Sequence, residues 1–287
     1  MRINLRVILI FLCLVVFHYS LVEAATLRIN PTKIRLSLPP GESRSGVIEV
    51  ENPSNETIVV KAYLQDWVYT SLHDGTKEFF PSQTTALSAA EWIRTSLSEF
   101  VIPAYGKQSI NYTVKVPPKV EGGYFAVLFF ESLLSGGSVR ETQGLGVMVR
   151  IGALFYIEPQ NTIKHLAEIS NLNVQKKSQG LLEISLDFKN TGNIDITAQG
   201  TFHIMDKTGM ILARGDFNDI YTLPQESAKL QGAWKEALPK GEFDLVITLD
   251  IGKARQDAGL GRGPVLTKEA KIQFDENGNI VKVGELR

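Results

Sequence analysis

Cysteine is almost missing from this chain. The single one, Cys13, lies in the first stretch of the sequence. A disulfide framework is therefore excluded for the rest, which must hold together by packing. Thiolate metal sites are excluded with it. Histidine is scarce too: beyond residue 24 only His73, His165 and His203 remain, far apart and at no metal-ligand spacing. No excess of one charge exists, with 30 basic and 31 acidic residues and a net charge of −1. That argues against nucleic acid or an anionic membrane as partner. Long apolar runs are missing except one, Val7 to Phe17, which stops short of the ~20 residues that a membrane span needs.

Motifs of catalysis are missing as well. There is no G-x-S-x-G elbow, no H-E-x-x-H and no phosphate-binding loop. "GLGRG" (259–263) lacks the Lys-Ser/Thr ending and reads as part of a polar, glycine-rich loop, "KARQDAGLGRGPVLTK". No catalytic residue, cofactor or metal ligand is assigned, and the expectation is a non-enzyme.

What is present begins with a leader. "MRINLR" is basic, "VILIFLCLVVF" is apolar, and "VEA" offers small residues for cleavage after Ala24. That order is a secretory signal peptide over 1–24. Its removal takes away Arg2, Arg6 and Glu23 and leaves a net charge of about −2. The product is expected outside the inner membrane, in the periplasm, without stable membrane insertion.

From Thr26 onward the pattern is that of strands: period-2 runs rich in Val, Ile, Thr and aromatics, broken by Gly, Pro, Asn and Asp. "IRLSL" places Ile34, Leu36 and Leu38 on one face, and "SINYTVKVPP" places Ile110, Tyr112, Val114 and Val116 on one. "GYFAVLFFESL" is apolar on both faces, as a covered central strand requires. "SAAEWIR" has Ser88 and Glu91 at capping-box spacing, which allows one helical turn, with an irregular loop as the alternative. A break near Glu158 to Ser170 separates two strand-rich halves. In the second, Asp206-Lys-Thr-Gly209 marks a tight hairpin. The fold class is all-β: two tandem immunoglobulin-like β-sandwich domains after a signal peptide, over 25–160 and 165–275, with 276–287 as a tail. "NET" at Asn55 and "NYT" at Asn111 match glycosylation acceptors and carry little weight, because the motif is short and common.

One stretch, "GLGVMVRIGALFYIEP" (144–159), changes character midway. Leu145, Val147, Val149 and Ile151 alternate with Gly144, Gly146, Met148 and Arg150; from Ala153 to Ile157 both faces are apolar. The alternating residues face either this domain's own core or a partner.

Several stretches of the first domain together resemble the periplasmic chaperones of pilus and fimbrial assembly and related chaperone-like domains of cell-surface proteins. They are "LRINPTKIRLSLPPGESRSGVIEVENPSNETIVVKAYLQDW", "FVIPAYGKQSINYTVKVP", "GGYFAVLFFES" and "VRIGALFYIEP". The resemblance implies that a strand is donated to an exported pilin-like or surface subunit. Backbone bonds then give affinity, and alternate side chains fill the partner's groove. Leu145, Val147, Val149 and Ile151 would be the subunit-binding strand. An usher is a further partner it implies. If the strand lies at a sheet edge, an exposed apolar edge needs protection when unbound, for which self-association through the edge strand is one route. The family also grips a carboxylate with two basic residues in the cleft between domains. Lys33 stands near one such place; Ala153 stands at the other, with Arg150 the cation on the same strand. The second domain, with its "NTGN" turn, looks like a generic immunoglobulin-like module. It keeps open a non-chaperone alternative, an envelope scaffold or adhesion-associated interaction module.

Overall fold

The computed structural model describes residues 27–134, 147–177, 181–261 and 263–287. The signal peptide expected over 1–24, with Cys13, and the first donor position, Leu145, lie outside them.

Among the described residues, ten strands build the first half. They are β1 (Arg28–Asn30), β2 (Lys33–Leu38), β3 (Ser43–Glu51), β4 (Ile58–Tyr69), β5 (Lys77–Pro81), β6 (Ile93–Thr95), β7 (Glu99–Ile102), β8 (Lys107–Lys115), β9 (Tyr124–Leu134) and β10 (Val147–Pro159). One sheet has the order β1-β3-β8-β6; the other runs β2-β10-β9-β4-β5, with β7 also on β4. Their facing sides interdigitate as a sandwich does. Ile48, Val50, Ile110 and Val114 meet Ala126, Leu128, Phe130, Phe155 and Ile157 in one core.

β9 is apolar on both faces because both are covered. Ala126, Leu128 and Phe130 enter that core. Phe125, Val127 and Phe129 point the other way, into a second cluster with Trp67, Tyr69, Tyr156 and, from the second half of the chain, Leu223. The same layering accounts for β10. Its C-terminal part puts Phe155 and Ile157 into the core and Leu154 and Tyr156 into the outer cluster. Its N-terminal part leaves Met148 and Arg150 exposed on the outer face.

The second half contains β11 (Ala167–Lys176), β12 (Leu182–Asn190), β13 (Ile196–Met205), β14 (Ile211–Asp216), β15 (Ile220–Thr222), β16 (Ser227–Trp234), β17 (Gly241–Asp250), β18 (Val265–Phe274) and β19 (Ile280–Val283). The sheets are β11-β12-β16 and β14-β13-β17-β18-β19, with β15 on β13. Phe188, Phe202, Ile204, Leu230, Leu245, Ile247 and Ile272 fill its core. The protein is thus all-β, two sandwiches in tandem, as the strand patterns predict.

Two local expectations turn out differently, and a third, the short helical turn, forms. Residues 276–287 are not a loose tail: β19 pairs β18, and Leu286 packs on the second core. A run this short shows too few periods to be read from sequence. The glycine-rich loop begins with a helical turn, α1 (Lys253–Asp257). The turn after β5 is a 3-10 turn, Ala90–Trp92, without side-chain capping at Ala89, its N-terminal flank. Ser88 Oγ accepts the Ala90 N–H at 3.3 Å and donates its proton to buried Asp66, whose carboxylate also accepts the N–H groups of Thr84 and Thr85. The expected hairpin forms: Asp206 Oδ1 accepts from the N–H of Thr208 and Met210, and Gly209 takes φ 85°.

Candidate docking edge and interdomain cleft

β10 is flanked by β9 along the whole of Val147–Ile157. Its other flank is not. β2 runs parallel to it only from Lys33↔Leu154 to Leu38↔Pro159. The reason lies just upstream. β1 belongs to the other sheet, on β3, so the chain crosses between sheets at Pro31–Thr32 and joins β10 late. The first cross-strand bond on this side is Leu154 N–H to Thr32 O, 2.9 Å. Val147–Ala153 therefore has an open edge: among the described residues no strand pairs with it there.

Backbone parity fixes which groups face that opening. Leu154 directs its N–H toward β2, so Gly152, Arg150 and Met148 direct theirs to the same side. Val149 and Ile151 bond toward β9 and pack, partly buried, at the rim of the first core. Val147 pairs with Leu134 in backbone register. Gly152 is required by its neighbours: a Cβ there would lie 2.6 Å from Val127 Cγ2 and 2.9 Å from Phe129 Cε1.

On the outer face, charges alternate across four strands. Arg150 is opposite Glu131, Glu131 opposite Lys61, and Lys61 opposite Glu99. Glu131 accepts the Tyr63 hydroxyl at 2.7 Å. Arg150 is the end member. Its guanidinium lies 4.3 Å above Phe129 and 5.8 Å from Phe79, and it has no ion-pair partner among the described residues.

The two sequence-derived basic residues are not brought to one place. Lys33 is opposite Leu154, four residues along β10 from Arg150, roughly 13 Å at strand rise. Lys33 lies instead in the cleft between the domains. Its ammonium is 4.8 Å from the Tyr156 ring. It lines a cavity of about 380 Å³ with Pro31, Arg35, Tyr112, Ala254 and Asp257. Burial, then the neighbouring Arg35 cation, lowers its pKa; Asp195 and Asp257 oppose this.

Arg35 was missed in the sequence and is central here. Its side chain is 1% exposed. It donates to Glu158 of β10 at 2.6 Å and, bidentately, to Asp195 of the second domain. Glu158 in turn accepts from Arg255 on α1 at 2.7 Å. Burial alone would lower the Arg35 pKa; the Asp195 and Glu158 carboxylates outweigh it and raise it. The available signal was "KIRLSL", whose alternation puts Arg35 on the face of Lys33, between the core residues Ile34 and Leu36. Its partners lie more than a hundred residues away and carry no local mark. Lys77 is a further missed cation, above Trp67 at 5.4 Å and Tyr69 at 5.1 Å.

The domains also clasp elsewhere. Tyr221 donates its N–H to His73 O at 2.9 Å, and His73 Nδ1 is 3.1 Å from Tyr221 O. Gly123 N–H reaches Asn193 O at 2.7 Å. His165, in the connection between domains, has its pKa pushed down to about 4 by burial, and next by Arg255. Among the described residues no group of three or more His, Cys, Asp or Glu could hold a metal ion, and no helix is long and apolar enough to cross a membrane.

No protein-family model and no curated protein matches the sequence. Solved structures do match by shape. The class 5 fimbriae chaperone CfaA is 14% identical, with a TM-score of 0.48, covering 85% of this chain and 98% of that one. A chain from the CsuC–CsuE chaperone–tip adhesion subunit pre-assembly complex of Acinetobacter baumannii is 15% identical, with a TM-score of 0.43 over 85% and 98%. A chain from the Salmonella enterica SafA pilin–SafB chaperone complex is 11% identical, with a TM-score of 0.42 over 85% and 95%.

Proposed function

We propose that this protein is a periplasmic, non-enzymatic chaperone that binds an exported pilin-like or surface subunit by strand pairing along the N-terminal part of β10. The observation that carries the reading is the open flank of Val147–Ala153 beside Leu154–Ile157, which is paired on both sides. An unpaired edge is a template for another chain. Here the N–H groups of Met148, Arg150 and Gly152 face it, and Val149 and Ile151 sit half-buried where a partner's apolar side chains would extend the core. Leu145 and Val147, which share that face by sequence alternation, are proposed as the other two donor positions. Each such side chain fully buried on binding is worth ~1.5–3 kcal/mol before the costs of association.

Lys33 is proposed as the carboxylate-binding residue. Its ammonium borders the cleft cavity and has no ion-pair partner among the described residues. Arg150 acts at the edge rather than in the cleft, as its distance from Lys33 requires. An usher would be a later partner of the loaded complex.

The test is co-purification of the tagged protein from periplasm, native against Met148→Pro. Proline at 148 removes an N–H that faces the opening and leaves the bonds to β9 intact. The reading expects a discrete exported subunit with the native protein and its loss from the folded variant. A folded Met148→Pro protein that keeps the subunit overturns it. Val149→Asp is the second variant, placing a charge on the donated face.

A further inference from the structure

An open edge attracts any strand, including that of a second copy, so something must choose among them. Arg150 stands at the middle of Val147–Ala153. When two copies pair antiparallel along this whole stretch, residue 147 meets 153, 148 meets 152, and Arg150 meets Arg150. The backbone parity allows this register, because Met148, Arg150 and Gly152 are the residues whose N–H groups face outward. A slip by two residues either way still leaves the two arginines as diagonal neighbours, within reach of long side chains. Like charges so placed oppose pairing.

The same geometry favours a different occupant. Across the outer face the signs run minus, plus, minus, plus from Glu99 through Lys61 and Glu131 to Arg150. A strand added across the opening would continue the series if it carried a negative charge opposite Arg150. We propose that Arg150 is a specificity-determining residue of the edge. It favours a foreign strand that carries Asp or Glu opposite it, and it disfavours a second copy of this chain. This inference rests on the strand-docking reading above.

The exported chain itself supplies the probe, in the form of Arg150→Glu, which presents a carboxylate at the central position. Arg150 is exposed on the outer face, but it covers Phe129 and stands opposite Glu131, so circular dichroism and thermal melting must first show that the variants are folded. Sedimentation measures association of the native protein alone, the variant alone and the equimolar mixture. The expected result is that each alone stays monomeric and the mixture forms a heterodimer. The mixed pair should associate roughly tenfold more tightly than either like pair. It should weaken when salt is raised to about 0.5 M, and it should vanish when Met148→Pro is added. Arg150→Thr, uncharged, should fall between.

If the native protein alone pairs as tightly as the mixture, Arg150 does not select, and only this inference is overturned. If no combination associates, Arg150→Thr included, the inference is overturned as well. The strand-docking reading is then judged separately, by the co-purification experiment.

Discussion

Gly152 shows how much of the edge rests on a single residue. It is the point where Val127 and Phe129 press against β10 from the neighbouring strand. Alanine there adds a methyl group with nowhere to go and should cost about 1–3 kcal/mol by overpacking, read as a lower urea midpoint with unchanged slope. His165 makes a second prediction at this scale. Its folded pKa, about 4, lies below its ordinary value of 6.5. The unfolded state therefore takes up the proton first as pH falls. The neutral ring's contribution is fully present above about 6.5 and is lost progressively down to about 4. His165→Gln should flatten that part of the stability–pH curve, measured as urea midpoints at pH 7 and pH 5. A variant that keeps the same slope in pH would show that other groups set it. Of the residues named from sequence, alternation grouped Val149 and Ile151 on one face but left open whether that face meets the core or a partner; the structure sets both at the rim of the first core. Arg35 was not, since its role comes from Asp195, which no local pattern connects to it.

At the scale of elements, β10 offers a paired test of its own geometry. The N–H of Met148 faces the opening and that of Val149 faces β9. Met148→Pro should therefore leave the free protein's melting temperature within a few degrees of native, given the small cost of proline on an outward edge. Val149→Pro breaks a ladder bond and empties a site at the core rim, and should cost ~3 kcal/mol or more. Equal losses from the two would mean that the edge is not open in solution. The change of pattern along this strand was visible in the sequence, and its cause is now plain: Leu154 and Tyr156 meet the aromatic cluster that the second domain caps, while Met148 and Arg150 meet solvent. The open edge itself was not visible. It depends on where β2 joins β10, and that follows from a crossing between sheets at Pro31–Thr32, far away in sequence. Ser88 teaches the same lesson in miniature. The capping-box spacing was there and Ser88 Oγ does accept the Ala90 N–H, but the partner of its own proton, Asp66 on β4, was not visible.

For the whole molecule, the question is whether the two sandwiches act as one body. Their separate cores were readable from the spacing of strands and turns, whereas their contact was not. That contact is built from single residues of both halves: Arg35 with Asp195, Glu158 with Arg255, His73 with Tyr221, and Leu223 in the aromatic cluster. The ion pairs are buried, with Arg35, Glu158 and Asp195 side chains at most 1% exposed. Such a network adds little net stability when whole, but removing one member strands a charge away from water. Asp195→Ala takes away both bonds that cross from Arg35 to the second domain, yet Glu158 still holds Arg35 on the first. The penalty of about 3–5 kcal/mol expected for a broken buried pair should thus fall on the docking of the domains rather than on either core. Scanning calorimetry should show the native protein melting in one transition and Asp195→Ala in two, the lower one no longer coupled to the higher. A single transition merely shifted downward would mean that the Glu158–Arg255 pair, the aromatic cluster and the His73–Tyr221 clasp hold the domains together without the Arg35–Asp195 pair. Two transitions in the native protein would mean that the lock is too weak to couple them at all. If the lock is as strong as its burial implies, the cleft that contains Lys33 keeps one shape. A subunit that binds the edge of β10 then meets that cleft at a fixed distance from Arg150, which sets the length of chain that could reach both.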